Sequence, residues 1–247
     1  MDRFIRWAAR TAIEHQPLER SAEKAFAEKD SAIEVEALLA LARAAGMDPQ
    51  HRQPNDPPVD KAMEARLIDM LTHLEWSKLN EEQRRTLVRT IEIVLVRFGT
   101  PDEVHARRLI AYLDPHFPAP TRELNWLLCE TLAFLQAPNT AAKAVALTAR
   151  APAQEEQMEY ARSLRFLKAG WTTDLHTRYF AWLLKAANYR GGTSFEKFIE
   201  FIRNDAAASL SDAQTTELAE VLAKKPERKS ALEAAASALA GRTTFTP

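Results

Sequence analysis

The feature that most limits the fold of this chain is where its backbone breakers fall. Glycine is scarce, with 6 residues against 13 prolines, and almost every one of either lies between segments of apolar periodicity rather than inside them. Gly46, Gly99, Gly170 and Gly241 follow such segments, whereas Pro17, Pro58, Pro101, Pro120, Pro138, Pro152 and Pro226 stand at or near the start of the next. Glycine closes helices in the left-handed conformation and proline opens them at the first turn, so this pattern punctuates helices. So little glycine is also hard to reconcile with a hairpin-rich β fold or a dinucleotide-binding loop.

The spacing predicts about thirteen helices, near 2–15, 17–28, 31–45, 58–78, 81–98, 101–114, 121–136, 138–149, 152–169, 172–188, 194–209, 212–224 and 226–240. In the fifth, Leu87, Ile91, Val94, Leu95 and Phe98 recur at the period that lines one side of a helix, and Asn80 is placed to cap its first turn. Leu175, Tyr179, Trp182, Leu183 and Ala186 repeat the pattern, and Phe195, Phe198, Ile199, Ile202 and Ala206 come close to it. Ile93, Val96, Trp126 and Phe134 lie off the stripes of their own helices and mark these as inner members of a stack. Successive helices pair into units of roughly 30 to 45 residues, the range of two-helix solenoid repeats. The expected fold is therefore all-α, a HEAT-like α-solenoid of antiparallel helix pairs running through residues 1–247 as a single domain. Neither tetratricopeptide nor ankyrin signatures are present. Residues 46–58 carry four prolines without periodicity and read as an exposed loop.

Composition narrows the function classes. With 247 residues, 46% of them apolar, the chain can bury a full core, and a formal charge of −1 supplies no global field to attract nucleic acid or anionic lipid. The single Cys129, set in an apolar helix, rules out an internal disulfide framework, a CxxCH haem attachment and a zinc–thiolate cluster, and reads as a buried inert thiol. His15, His51, His73, His105, His116 and His176 show no metal-ligand spacing. The acidic pairs Glu81-Glu82, Asp102-Glu103 and Glu155-Glu156 fall in first helical turns, where they suit the helix dipole. Gly191-Gly192-Thr193-Ser194 reads as a connector ending in an N-cap at Ser194 or Thr193. No catalytic residue, cofactor or metal is expected, and the chain is not expected to be an enzyme. The start, Met1 to Trp7, carries charges where a secretory signal is apolar, and the longest uncharged stretch, Thr131 to Ala142, is too short to span a membrane. One cysteine fits a reducing cytosol and equally a piece of an exported protein. Arg84, Arg85, Arg89, Arg97, Arg107 and Arg108 raise the alternative of a HEAT-like nucleic-acid-binding protein of the DNA glycosylase type, against which stand the interspersed Glu81, Glu82, Glu92, Asp102 and Glu103.

Half of the 20 aromatic residues fall between Tyr160 and Phe201. Tyr179, Trp182, Phe195 and Phe198 sit on helical stripes and are expected in the core, whereas Phe166, Phe180 and Phe201 lie off them and are expected to face a neighbouring module. Residues 159–206 therefore form an aromatic-rich pair of C-terminal repeats.

Within this stretch, Tyr160-Ala161-Arg162-Ser163-Leu164-Arg165, Lys168-Ala169-Gly170-Trp171-Thr172, Arg178-Tyr179-Phe180-Ala181-Trp182, Tyr189-Arg190-Gly191-Gly192-Thr193-Ser194-Phe195 and Ile202-Arg203-Asn204-Asp205-Ala206 resemble the helical region of large exported bacterial proteins. These join a dehydrogenase-like β-propeller, HEAT-like repeats and a c-type cytochrome module in one polypeptide. Asp2 to Arg10, Glu14-His15-Gln16-Pro17, and the stretch from Glu123-Leu124-Asn125 through Leu135-Gln136-Ala137-Pro138 are similar to that region as well. The resemblance implies a non-catalytic scaffold or interaction domain in a periplasmic or otherwise extracytoplasmic setting. Its partner would be the cytochrome or dehydrogenase-like module of its parent, or another protein. Lacking CxxCH and a propeller, the chain inherits neither haem binding nor dehydrogenation. The interaction candidates that follow are Arg162, Arg165, Phe166, Trp171, Phe180, Tyr189, Gly191, Gly192, Phe201, Arg203 and Asp205.

Overall fold

A computed structural model describes residues 2–226. Among them every regular element is helical and there is no strand. The helices are α1 (Arg3–Glu14), α2 (Leu18–Ala27), α3 (Ser31–Ala45), α4 (Lys61–His73), α5 (Glu81–Phe98), α6 (Glu103–Leu113) and α7 (Arg122–Phe134), followed by α8 (Thr140–Arg150), α9 (Gln154–Leu164), α10 (Thr173–Ala186), α11 (Phe195–Ala208), α12 (Asp212–Glu217) and α13 (Ala219–Ala223). Their contacts divide the chain into two compact units that meet in sequence between Ala137 and Pro138.

The all-helical class agrees with the sequence, and the first eleven expected helices each match an observed one, with α8 running one residue past its expected end. Two details differ, and one expected helix is not described. Helix 58–78 opens only at Lys61, where Asp60 caps Ala62 and Met63 (2.9 and 3.1 Å), and it ends at His73 because Leu74 turns extended (ψ 128°), which leaves Trp76–Lys78 as a separate 3₁₀ turn. The segment 212–224 breaks at Leu218 into α12 and α13. The expected helix 226–240, like Gly241, lies outside the described residues, apart from Pro226.

Helix ends show which glycines matter for their conformation. Gly99 and Gly170 close their segments at positive φ, 89° and 74°, the region that favours glycine, although Gly99 (ψ −161°) is not in the left-handed helical conformation itself. A Cβ on Gly170 would also meet the Pro138 carbonyl oxygen at 1.8 Å. Gly46 is different, with an extended backbone (φ −83°, ψ 160°). What requires glycine there is space, since a Cβ would lie 2.5 Å from Arg97 Cβ and 2.7 Å from the Phe98 ring. The residue after α7 that turns left-handed is Gln136 (φ 59°), which the glycine pattern could not reveal. Ser194 occupies the N-cap position of α11, as expected, but it has helical backbone angles and its side chain makes no capping hydrogen bond.

In the first unit, α3 packs on α1 and α5, α5 on α7, and α4 on α6, with α2 against α3 and α4 also against α5. The predicted stripe of α5 is the interior of this arrangement: Leu87, Ile91 and Val94 are fully buried, and Leu95 and Phe98 nearly so. Each such side chain contributes about 1.5–3 kcal/mol by leaving water. Helices α3 and α7 are also deeply enclosed: Val35, Leu38, Leu39, Ala40, Leu41 and Ala42 are all buried in the first, and Leu124, Leu127, Leu128, Cys129, Leu132 and Ala133 in the second. The off-stripe residues expected inside α5 and α7 partly face out instead: Val96 is 58% exposed and Phe134 49%. In the second unit α8 packs on α9 and α10, while α11 packs on α9 and α10.

Asn80 caps the start of α5 as the sequence suggested, and with Gln83 it forms a capping box that the sequence reading did not include. Asn80 Oδ1 accepts the Gln83 backbone N–H at 3.0 Å, and Gln83 Oε1 accepts the Asn80 N–H at 2.8 Å. Asn80→Ala is expected to cost about 1 kcal/mol in urea unfolding followed by circular dichroism, and Asn80→Gly only a few tenths. Equal losses for both would assign the effect to something other than the cap.

Candidate functional site

The aromatic-rich stretch separates into an interior group and a surface group. Trp171 donates its indole N–H to the Leu167 carbonyl at 2.8 Å and stacks on the buried His176, with ring centroids 4.3 Å apart and planes 7° from parallel. Burial pushes the His176 pKa below its ordinary value, so the imidazole is held neutral beneath the indole. Tyr179 donates its hydroxyl to the Ala161 carbonyl at 2.7 Å. Phe180 is 1% exposed, which corrects its assignment to a docking surface: it is core. Tyr189 and Trp182 (2.9 Å) both donate to Gln157 Oε1, while Gln157 Nε2 donates to the Ala151 carbonyl at 2.7 Å. This glutamine, unremarkable in the sequence, joins the ends of α9 and α10, and burial raises the Tyr189 pKa.

Gly191 makes room for Phe195, whose ring carbon would lie 2.2 Å from a Cβ there, whereas Gly192 faces open space. Arg203 donates to the Leu222 and Lys224 carbonyls at 2.8 and 2.9 Å and thereby closes α13. Trp171, Tyr189, Gly191 and Arg203 thus have local structural roles.

Of the remaining candidates, Arg165, Phe166 and Asp205 are directly linked, and Phe201 lies one turn from Asp205 on α11. Arg165 pairs with Asp205 at 3.3 Å and lies 4.7 Å over the Phe166 ring. Phe201 precedes Asp205 by one helical turn on α11, and Phe198 precedes Phe201 by three residues on the same side. Phe166 is 56% exposed and Phe201 61%, and Phe198, which the sequence placed in the core, is 37% exposed. Arg162 lies half-buried on α9. The result is an aromatic patch crossed by an ion pair.

In the first unit, α1 presents the reverse of the usual amphipathic arrangement. Its charged side turns inward: Arg6 pairs with Glu36 and Glu82, Arg10 with Glu14 and Glu36, and Glu14 accepts from Arg43 at 2.8 Å. Arg6 holds the Glu82 carboxyl below its ordinary range. The apolar side faces out, leaving Phe4, Ile5 and Trp7 at 60% exposure or more.

Five of the six arginines considered for nucleic acid, all but Arg85, are engaged within the protein. Arg84 donates to the Trp76 carbonyl and lies over the Trp76 ring, Arg89 pairs with Glu92, and Arg97 donates to the Arg43 and Gly46 carbonyls. Arg107 pairs with Glu103, and Arg108 with Asp69. Cys129 is fully buried, and among the described residues no group of three His, Cys, Asp or Glu could hold a metal ion. No helix among the described residues is long and apolar enough to cross a membrane.

A cleft beside α4 and α6 escaped sequence reasoning. Lys61 Nζ donates to Glu64 Oε2 (2.7 Å) and to the Phe98 and Thr100 carbonyls (2.8 and 3.1 Å). Glu64 is 3% exposed, and burial raises its pKa against the opposing pull of Lys61. Asp102 caps α6 by accepting the His105 backbone N–H at 2.9 Å and also meets the His105 ring Nδ1 at 2.8 Å, which draws the Asp102 pKa down. These groups border a cavity of about 270 Å³. The signals in the sequence were Lys61 and Glu64, and Asp102 and His105, each three residues apart, a spacing that by itself reads as solvated helix-face pairing.

Against protein-family models, curated proteins and solved structures, the chain finds no match.

Proposed function

We propose that the chain is a non-catalytic HEAT-like scaffold that docks a partner protein module through the Phe166–Phe198–Phe201 surface. The observation that carries this reading is that surface itself: three phenylalanines kept partly or largely in water beside an Arg165–Asp205 pair. Clustered exposed aromatics with a charged pair at the margin have the make-up of a protein interface. The stacked arrangement is supported within the first unit by the succession α1–α3–α5–α7, in which each helix packs on the next but one, beside the pair α4–α6. The outward apolar side of α1 offers a further contact surface. Membership of an exported dehydrogenase–cytochrome fusion rests on the sequence resemblance, and under that reading the partner is the cytochrome or the propeller module. A rigid helical spacer would fix the distance between such modules at low entropic cost.

The test is association of the purified chain with separately produced cytochrome and propeller modules of such a fusion protein. Binding is expected to weaken at least tenfold in Phe166→Ser and Phe201→Ser, with helicity unchanged. Absence of binding to either module, or binding that both variants leave intact, would dispose of the proposal. The nucleic-acid alternative predicts salt-sensitive retardation of DNA that disappears when Arg84, Arg85 and Arg89 are removed together. The internal partners of Arg84 and Arg89 count against it.

A further inference from the structure

We infer that the groove formed by α1, α2 and α3 seats an amphipathic α-helix of a partner protein, one whose apolar stripe is bordered by acidic side chains. The first observation is an uncovered stripe on α1 and the residues just after it. Ile5, Ala9, Ala12, Ile13 and Gln16 recur at the period that lines one side of a helix, and all five are exposed, Ile5 at 62% and Ile13 at 41%. Arg6, Arg10 and Glu14, whose ion pairs turn inward, share a different side. Second, the C-terminal part of the stripe borders a groove of about 490 Å³, lined by Ala12, Ile13 and Gln16, by Ile33 and Ala37 of α3, and by Arg20 and Lys24 of α2. Ile33 is itself 55% exposed.

Third, the charges of this groove are unbalanced. Arg20 and Lys24 stand one turn apart on α2, both exposed, and neither side chain has a hydrogen bond or ion pair among the described residues. Glu28, the one carboxylate lining the groove, accepts the Lys29 and Asp30 backbone N–H groups at 2.7 and 2.9 Å. Glu19 and Glu23 of α2 do not line it. Two uncommitted cations beside an apolar surface select acidic groups on whatever lies there. Exposed pairs of this kind set preference and orientation, whereas affinity comes from taking Ile5, Ile13 and Ile33 out of water. Length decides between a helix and a small anionic amphiphile. The stripe extends about 17 Å along α1, roughly three turns. Ile5 and Ala9 lie beyond the groove lining, so a ligand of fatty-acid size leaves them in water. A helix laid along α1 covers the whole stripe with its own residues of matching period.

The probe is an end-capped, fluorescein-labelled helical peptide of about sixteen residues, long enough to follow the stripe, with Leu along one side and Glu at the margins of that side. Its match carries Lys in place of every Glu. Anisotropy is followed as the full chain is added at low ionic strength. Saturable binding of the acidic peptide is expected, at least tenfold tighter than that of the basic one. Arg20→Glu combined with Lys24→Glu should invert the preference. Ile13→Ser, and Ile5→Ser beyond the groove, should each weaken the acidic peptide at least threefold with helicity unchanged. No saturable binding, equal binding of the two peptides, or a preference that the reversed pair leaves in place would overturn the inference. If sodium octanoate displaces the peptide and Ile5→Ser leaves its binding unchanged, the groove takes a small anionic amphiphile and the inference fails. The aromatic surface on α11 plays no part in these outcomes, so failure here and failure of the proposed scaffold function are separate results.

Discussion

Phe180→Ala is expected to lower the unfolding free energy by about 3–5 kcal/mol, the range for removing a buried phenyl ring. The ring is 1% exposed. It meets Tyr179 nearly edge-on, with centroids 5.7 Å apart, and lies 6.5 Å from the His176 ring, which is itself pressed against Trp171. Nothing in such a cluster can collapse into the space left by a phenyl group without moving a helix, so the cavity cost adds to the lost transfer energy. Phe201→Ala removes the same group from a position that is 61% exposed and should change stability by no more than about 0.5 kcal/mol. Urea unfolding of both variants beside the unmodified chain separates the roles. If Phe180→Ala unfolds at the same urea concentration as the unmodified chain, the interior placement of this ring is wrong.

The Phe180 case also shows where sequence periodicity stops being informative. The stripe read along α10 ran through Leu175, Tyr179, Trp182, Leu183 and Ala186, whereas the buried residues are His176, Tyr179, Phe180, Leu183 and Ala186. Histidine counts as polar in a pattern, so the stripe was drawn through Leu175. The cover that Trp171 provides for the imidazole is a tertiary contact with no local signature. On α11 the pattern contained Phe198, but periodicity reports which residues share a side and not which side faces the interior. The same ambiguity operates fully on α1, where strong amphipathicity is present and the charged side is the one turned inward by Glu36, Glu82 and Arg43. Helix placement was legible because caps and breakers act within a few residues, as at Asn80 and Gly99. The Glu64 cleft was not, because burial of one carboxylate oxygen depends on α4 and on the Thr100–His105 segment, which lie well apart in the chain.

A carboxylate in α5 carries the largest expected pH effect. Glu92 is pushed up to about 7, first by burial and further by Glu130, while Arg89 and the hydroxyl of Thr131 pull in the opposite direction. Arg89 reaches it at 3.1 Å and Thr131 at 3.3 Å, which is not enough to offset the loss of water around the charge. In the unfolded chain the group titrates near 4.5. Between these two values the native state retains a proton that the unfolded state has released, so stability falls as pH rises through the window and the penalty is complete above about 7. Glu92→Gln removes the titrating group and approximates the neutral form of the side chain. Relative to the unmodified chain, the variant is therefore expected to gain about 2–3 kcal/mol on going from pH 5 to pH 8. The measurement is the difference in unfolding free energy between the two proteins at each pH, which cancels the carboxylates and histidines they share. A difference that stays constant across this range would mean that Glu92 ionises in the folded protein at its ordinary value, with Arg89 rather than burial setting its charge.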